Sequence, residues 1–111
     1  MIIKQFPEQI DSKTLYQMTR GQGIGKMRDA KGQQLRVVAY VLREDANVSD
    51  GEVSRILAIR DESGDLYATN SKPFIREFEA VLDCNPTFPL DIEVIGGRSK
   101  AGREYLTMAW K

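Results

Sequence analysis

Asn70-Ser71-Lys72-Pro73-Phe74-Ile75-Arg76-Glu77-Phe78-Glu79-Ala80-Val81-Leu82 is the stretch that decides the fold. Asn70 and Ser71 have side chains that cap the unpaired N–H groups of a helix start. Pro73 suits the first turn, where a missing N–H costs nothing. Phe74, Ile75, Phe78, Val81 and Leu82 then recur at helical spacing and form one apolar stripe. Pro86 and Pro89 end the pattern. The reading is a single helix that buries one side.

Outward from this helix the patterns change to strands. Upstream lie Leu35–Arg43, rich in β-branched residues, then Glu52–Arg60, then the short Leu66–Thr69. A polar loop at 44–51 and the turn Asp61-Glu62-Ser63-Gly64-Asp65 separate them. Downstream, Leu90, Ile92 and Val94 alternate with Asp91 and Glu93, and Arg103–Trp110 forms a last strand. Strict alternation on the first strand puts Leu35, Val37, Ala39 and Val41 on one face. Arg36, Val38, Tyr40 and Leu42 share the other.

The order from residue 34 on is therefore β-β-β-α-β-β. This predicts a mainly β protein with the order of the OB-fold, a five-stranded Greek-key barrel whose closure removes exposed edges. Phe74, Phe78 and Leu82 would plug one end of the barrel. A split α+β sheet shares the same string of elements. Residues 1–33 form an N-terminal extension: a strand or ordered tail at 1–6, a short helix from Asp11 to Met18, and a glycine-rich run at 21–25. At 111 residues the whole reads as one domain.

Composition excludes much chemistry. There is no histidine, so histidine-dependent catalysis and imidazole metal sites are out. The single Cys84 cannot form an intrachain disulfide or a multi-cysteine zinc site. The glycine run at 21–25 lacks the Gly-Lys-Ser/Thr ending of a phosphate loop. The acid pairs Glu44/Asp45 and Asp61/Glu62 sit in turns and read as solvated surface. No enzyme activity, cofactor or metal is expected. The N-terminus has no long apolar run, and no segment approaches the ~18 apolar residues of a membrane span. The expected compartment is the cytoplasm.

Charge is more informative by segment than in total. The chain holds 16 basic and 16 acidic residues. Residues 1–43 have eight bases against three acids; 44–93 have four against twelve; 94–111 have four against one. Two basic ends flank an acidic middle, which predicts a two-faced protein. Within the last part, Gly96–Gly102 reads as a glycine-rich basic loop, with Arg98, Lys100 and Arg103 around it.

Single-strand binding needs cations for phosphates and flat rings for bases, and stacking contributes roughly 1–3 kcal/mol per base. On an OB barrel the groove lies over strands two and three and the loops after strands one and four. The candidate phosphate ligands are Lys26, Arg36, Arg55, Arg98, Lys100 and Arg103. The candidate stacking rings are Tyr67, Tyr105 and Tyr40. By strand period Tyr105 belongs to the surface and Trp110 to the core. Tyr67 is expected to be more exposed than Leu66 and Ala68. Tyr40 shares a face with Arg36 but also with Val38 and Leu42, so core and platform both stay open.

Three stretches carry a family resemblance: Arg55-Ile56-Leu57-Ala58-Ile59 with Gly64-Asp65-Leu66-Tyr67-Ala68-Thr69-Asn70-Ser71; Phe74-Ile75-Arg76-Glu77-Phe78; and Gly97-Arg98-Ser99-Lys100-Ala101-Gly102-Arg103-Glu104-Tyr105. Across residues 34–110 the chain resembles small single-stranded-DNA-binding proteins of bacteriophages of Gram-positive hosts. The resemblance implies an OB-fold, no catalysis, and sequence-tolerant binding in replication or recombination, alongside phage or host replication proteins. DNA against RNA stays open. The extension suggests a homo-oligomer. A different reading is a protein-interaction module or inhibitor that works through its acidic middle segment.

Overall fold

The computed structural model describes residues 2–20, 23–46, 53–98 and 100–111. Gly21 and Gln22 of the glycine run, most of the acidic loop (47–52) and Ser99 lie outside the described residues. In chain order the elements are β1 (Ile2–Phe6), α1 (Ser12–Arg20), β2 (Gly25–Lys26), a 3-10 turn at Met27–Ala30, β3 (Gln34–Ala46), β4 (Val53–Asp61), β5 (Leu66–Thr69), α2 (Lys72–Asp83), β6 (Leu90–Arg98) and β7 (Glu104–Trp110). The protein is mainly β, and from residue 34 the order is the expected β-β-β-α-β-β.

The strands form one curled sheet in the order β2-β5-β4-β3-β6-β7, with β1 added to β3. The long β3 organises it. One edge of β3 pairs with β4; the other pairs first with β6, through Gln34–Val37, and then with β1, through Tyr40–Arg43. All pairings are antiparallel except β2 with β5. The extension is thus built into the sheet, and Phe6 fastens it further by stacking on Phe88 with ring centroids 4.1 Å apart.

One irregularity decides which side chains meet. Val37 lies opposite Asp61, but Ala39 lies opposite Arg60. Two residues of β3 thus face one step of β4, which is a β-bulge at Val38. An extra residue reverses the alternation beyond it. Leu35 and Val37 therefore share the main core with Tyr40 and Leu42, while Ala39 and Val41 turn to the opposite face. Strict alternation had placed Tyr40 beside Arg36; the bulge puts them on different faces.

Both faces are covered by helices. α2 supplies Phe74, Ile75, Phe78 and Val81 to the main core, with Leu82 packed at its margin. Its start is capped as expected: Ser71 Oγ accepts from Phe74 N at 3.4 Å and donates to the carbonyl of Leu106, which ties the helix to β7. α1 begins at a second cap, where Asp11 Oδ2 accepts from Thr14 N at 3.1 Å. Hydrogen bonding from Thr14, through its side chain first and its backbone N–H second, holds the exposed Asp11 carboxyl below its ordinary pKa. Met18 of α1 packs on Ala39, Val41 and Ala58, with Leu15, Leu66 and Ala68 around it. Three alanines on this face leave room for a helix to lie close to the sheet.

Candidate nucleic-acid interface

A cleft of about 750 Å³ opens between the β2 segment, the β5–α2 junction and the start of β7. Its first wall is created by the two-residue parallel pairing of β2 with β5, Gly25 opposite Tyr67 and Lys26 opposite Ala68. Gly25 lies against the Leu66 carbonyl oxygen and the Tyr67 ring, at distances that would leave a Cβ in ordinary contact. Met27 and Ala30 then anchor the 3-10 turn in the core. Lys26, Arg28 and Lys31 between and beside those anchors point outward and line the cleft.

The opposite wall comes from α2 and β7. Asn70, Ser71, Lys72 and Pro73 form the helix start, and Tyr105 and Leu106 the strand side. The Lys31 stem lies across Gly96; a Cβ at Gly96 would collide with its Cγ, Cδ and Cε. The Tyr105 ring covers Gly97 in the same way, since a Cβ there would come within 2.6 Å of the ring. These two glycines belong to β6, not to a loop. The space their missing side chains leave is taken by the protein's own Lys31 and Tyr105.

Electrostatically the cleft is positive. Lys26, Arg28, Lys31 and Lys72 line it against one carboxylate, Glu104. Among the described residues these four cations form no ion pair, whereas Glu104 faces Arg98 at 3.9 Å. The first turn of α2 holds no acid, so the positive end of the helix dipole adds to the same field. Tyr105, 42% exposed, supplies one flat ring.

Of the nine residues expected to bind, the cleft gathers Lys26 and Tyr105. Arg98 at the end of β6, and Lys100 and Arg103 on the turn that follows it, are exposed and stand outside the cleft lining. Arg36 is engaged elsewhere: it contacts Asp91 at 3.1 Å and Glu62 at 3.6 Å, which raises its pKa further. Arg55, on the face of Leu57 and Ile59, contacts Glu79 of α2 at 2.7 Å. Tyr40 is corrected outright. It is 6% exposed, edge-on to Phe78 at 5.2 Å, and burial pushes its hydroxyl pKa up; such a ring has no face left for a base. Tyr67 is half-buried, as are its neighbours Leu66 and Ala68, and it packs against the main core. Trp110, expected in the core with Leu106 and Met108, is 49% exposed at the end of β7.

The cleft borders the second and third strands of the expected order through Ile56 of β4 and Ala68 and Thr69 of β5, while α1 packs over Ala58, Leu66 and Ala68. Arg28, Lys31 and Lys72 were not anticipated. The signal for the first two is the i, i+3 spacing of Met27 and Ala30, which marks one anchored turn with its other residues outward. For Lys72 it is a cation in the first turn of a helix, where the dipole favours acids. No helix among the described residues is long and apolar enough to cross a membrane. Comparison with protein families, curated proteins and solved structures finds no match to the chain.

Proposed function

We propose that the protein binds single-stranded DNA in the cleft between β2, α2 and β7. The observation that carries this reading is the convergence of Lys26, Arg28, Lys31 and Lys72, none of them ion-paired among the described residues, beside the exposed ring of Tyr105. Phosphates displace counterions on such a surface, and a base stacks on the ring. An OB-type barrel is the fold that goes with this. It is supported by the strand order from residue 34 and by β3 pairing with both β4 and β6, in a sheet that ends at β2 on one side and β7 on the other. The biological setting is the one the resemblance implies, the coating of single strands in phage replication or recombination.

Fluorescence titration with oligo-dT at several salt concentrations tests the reading. Affinity should fall with salt at a logarithmic slope of about 0.7 per phosphate contacted. The double substitution Lys26→Ala with Arg28→Ala should lower both affinity and slope, while Lys100→Ala should change them less. Absence of binding by the intact protein at low salt ends the proposal.

A further inference from the structure

The cleft does not stop at α2. A second pocket of about 460 Å³ is lined by Ser54, Arg55, Asn70, Lys72, Arg76 and Glu79, among others. Asn70 and Lys72 line both. The two depressions therefore meet at the first turn of the helix, and Lys72 stands at their junction.

The second pocket has a charge pattern of its own. Arg55 and Glu79 neutralise each other at 2.7 Å. Arg55 keeps one donor, its buried Nε, without a hydrogen bond. Arg76 is exposed and, with Lys72, makes no ion pair among the described residues. The net cations are thus Lys72 and Arg76, one turn apart on the same helix, where side chains four residues apart lie on one face. No acid of the first turn interrupts the path.

We infer that a bound strand runs on from the cleft, crosses the first turn of α2 at Lys72, and enters the second pocket, where Arg76 holds a further phosphate. The inference rests on the reading of the cleft as a single-strand site and gives that site a direction and a second part. A polyanion with regularly spaced charges fits two positive depressions joined by a shared cation; a compact anion would need only one of them.

The test is a ladder of oligo-dT lengths, about 4 to about 16 nucleotides, the span of site sizes for a domain of this kind. Wild-type protein, Arg76→Ala and Arg76→Glu are titrated against each length, with circular dichroism to show that the variants are folded. Arg76 is exposed on α2, so folding should survive. For the shortest oligomers, confined to the first cleft, Arg76→Ala should bind as wild type does. For the longest, it should bind severalfold more weakly, with the salt slope reduced by about 0.7, and Arg76→Glu should be weaker again. If Arg76→Glu binds the longest oligomers with wild-type affinity and slope, while Lys26→Ala with Arg28→Ala is impaired, the second pocket is not used and the cleft reading stands alone. Equal weakening at every length also overturns the two-part track. If the wild type binds no oligomer, the reading of the cleft itself fails.

Discussion

Under α2 the sheet buries large side chains, among them Phe74, Phe78, Leu42, Leu57 and Ile59; under α1 it buries Met18 against Ala39, Val41 and Ala58. The same strands, β3 and β4, serve both faces. The face with bulky residues holds the domain together, and the face with alanines admits a second helix close to the backbone. The alanine-rich side is covered by α1, which does not line the positive cleft; the cleft lies where β2, the start of α2 and β7 come together, bordered by Ile56 of β4 and by Ala68 and Thr69 of β5. The bulge at Val38 keeps the division consistent along β3.

Deleting Val38 should break the comparison most severely. Without the extra residue, either Leu35 and Val37 or Tyr40 and Leu42 must leave the main core. Burial of an apolar side chain stabilises by about 1.5–3 kcal/mol, so two displaced residues cost about 3–6 kcal/mol before any repacking loss. That is a large part of the ~5–15 kcal/mol stability of an ordinary domain. Urea unfolding should show a non-cooperative or strongly shifted transition. A deletion variant that unfolds cooperatively at the wild-type midpoint would refute the role given to the bulge.

Single truncations then sharpen the contrast between the two faces. Phe78→Ala removes a fully buried ring from the main core and should cost about 3–5 kcal/mol. Met18→Ala opens a smaller space under α1, which can settle toward the sheet, and should fall near the lower end of the ~2–5 kcal/mol range. Binding of oligo-dT by folded Met18→Ala protein should be nearly unchanged, because α1 does not line the cleft. Equal costs for the two variants would mean that the faces are not unequal partners.

Much of this arrangement was legible in the residues, for identifiable reasons. Ser71, Pro73 and the apolar stripe announce α2 because capping and helical period are local properties. The strand order from residue 34 followed from similar local patterns. The bulge was not legible, since Val37, Val38 and Ala39 suit either register and only pairing with β4 selects one. The cleft was legible only in Lys26 and Tyr105. Its other cations come from segments that meet through a two-residue parallel pairing, Gly25-Lys26 with Tyr67-Ala68, which has no sequence period of its own. The basic hairpin at 98–103 is legible because Arg98, Lys100 and Arg103 are close neighbours in sequence. The cleft draws on charges 41 residues apart, Lys31 and Lys72 being the inner pair by sequence.

The smallest effect is expected at the ion pairs, and it again separates the faces. Arg36 with Asp91 and Glu62 lies in solvent, its side chain half exposed, and such pairs contribute little. Arg55 with Glu79 is more enclosed, and the hydrogen bond from Arg55 holds the Glu79 carboxyl below its ordinary value. A carboxyl whose pKa is lower in the folded state than in the unfolded chain stabilises the fold once both states are ionised. Its contribution is complete above the ordinary glutamate range, about pH 4.5, and is lost as pH falls through the depressed folded value. Asp11 is depressed too and titrates in the same acid window, through its bond to Thr14. Comparing wild type with Glu79→Gln cancels that shared term, because both proteins keep Asp11. The stability difference between them, read by urea unfolding from about pH 7 to about pH 3, should therefore be constant near neutrality and shrink in acid. A difference that stays constant down to the lowest pH would show that the Arg55–Glu79 contact does not shift the carboxyl and would leave the two sets of ion pairs alike.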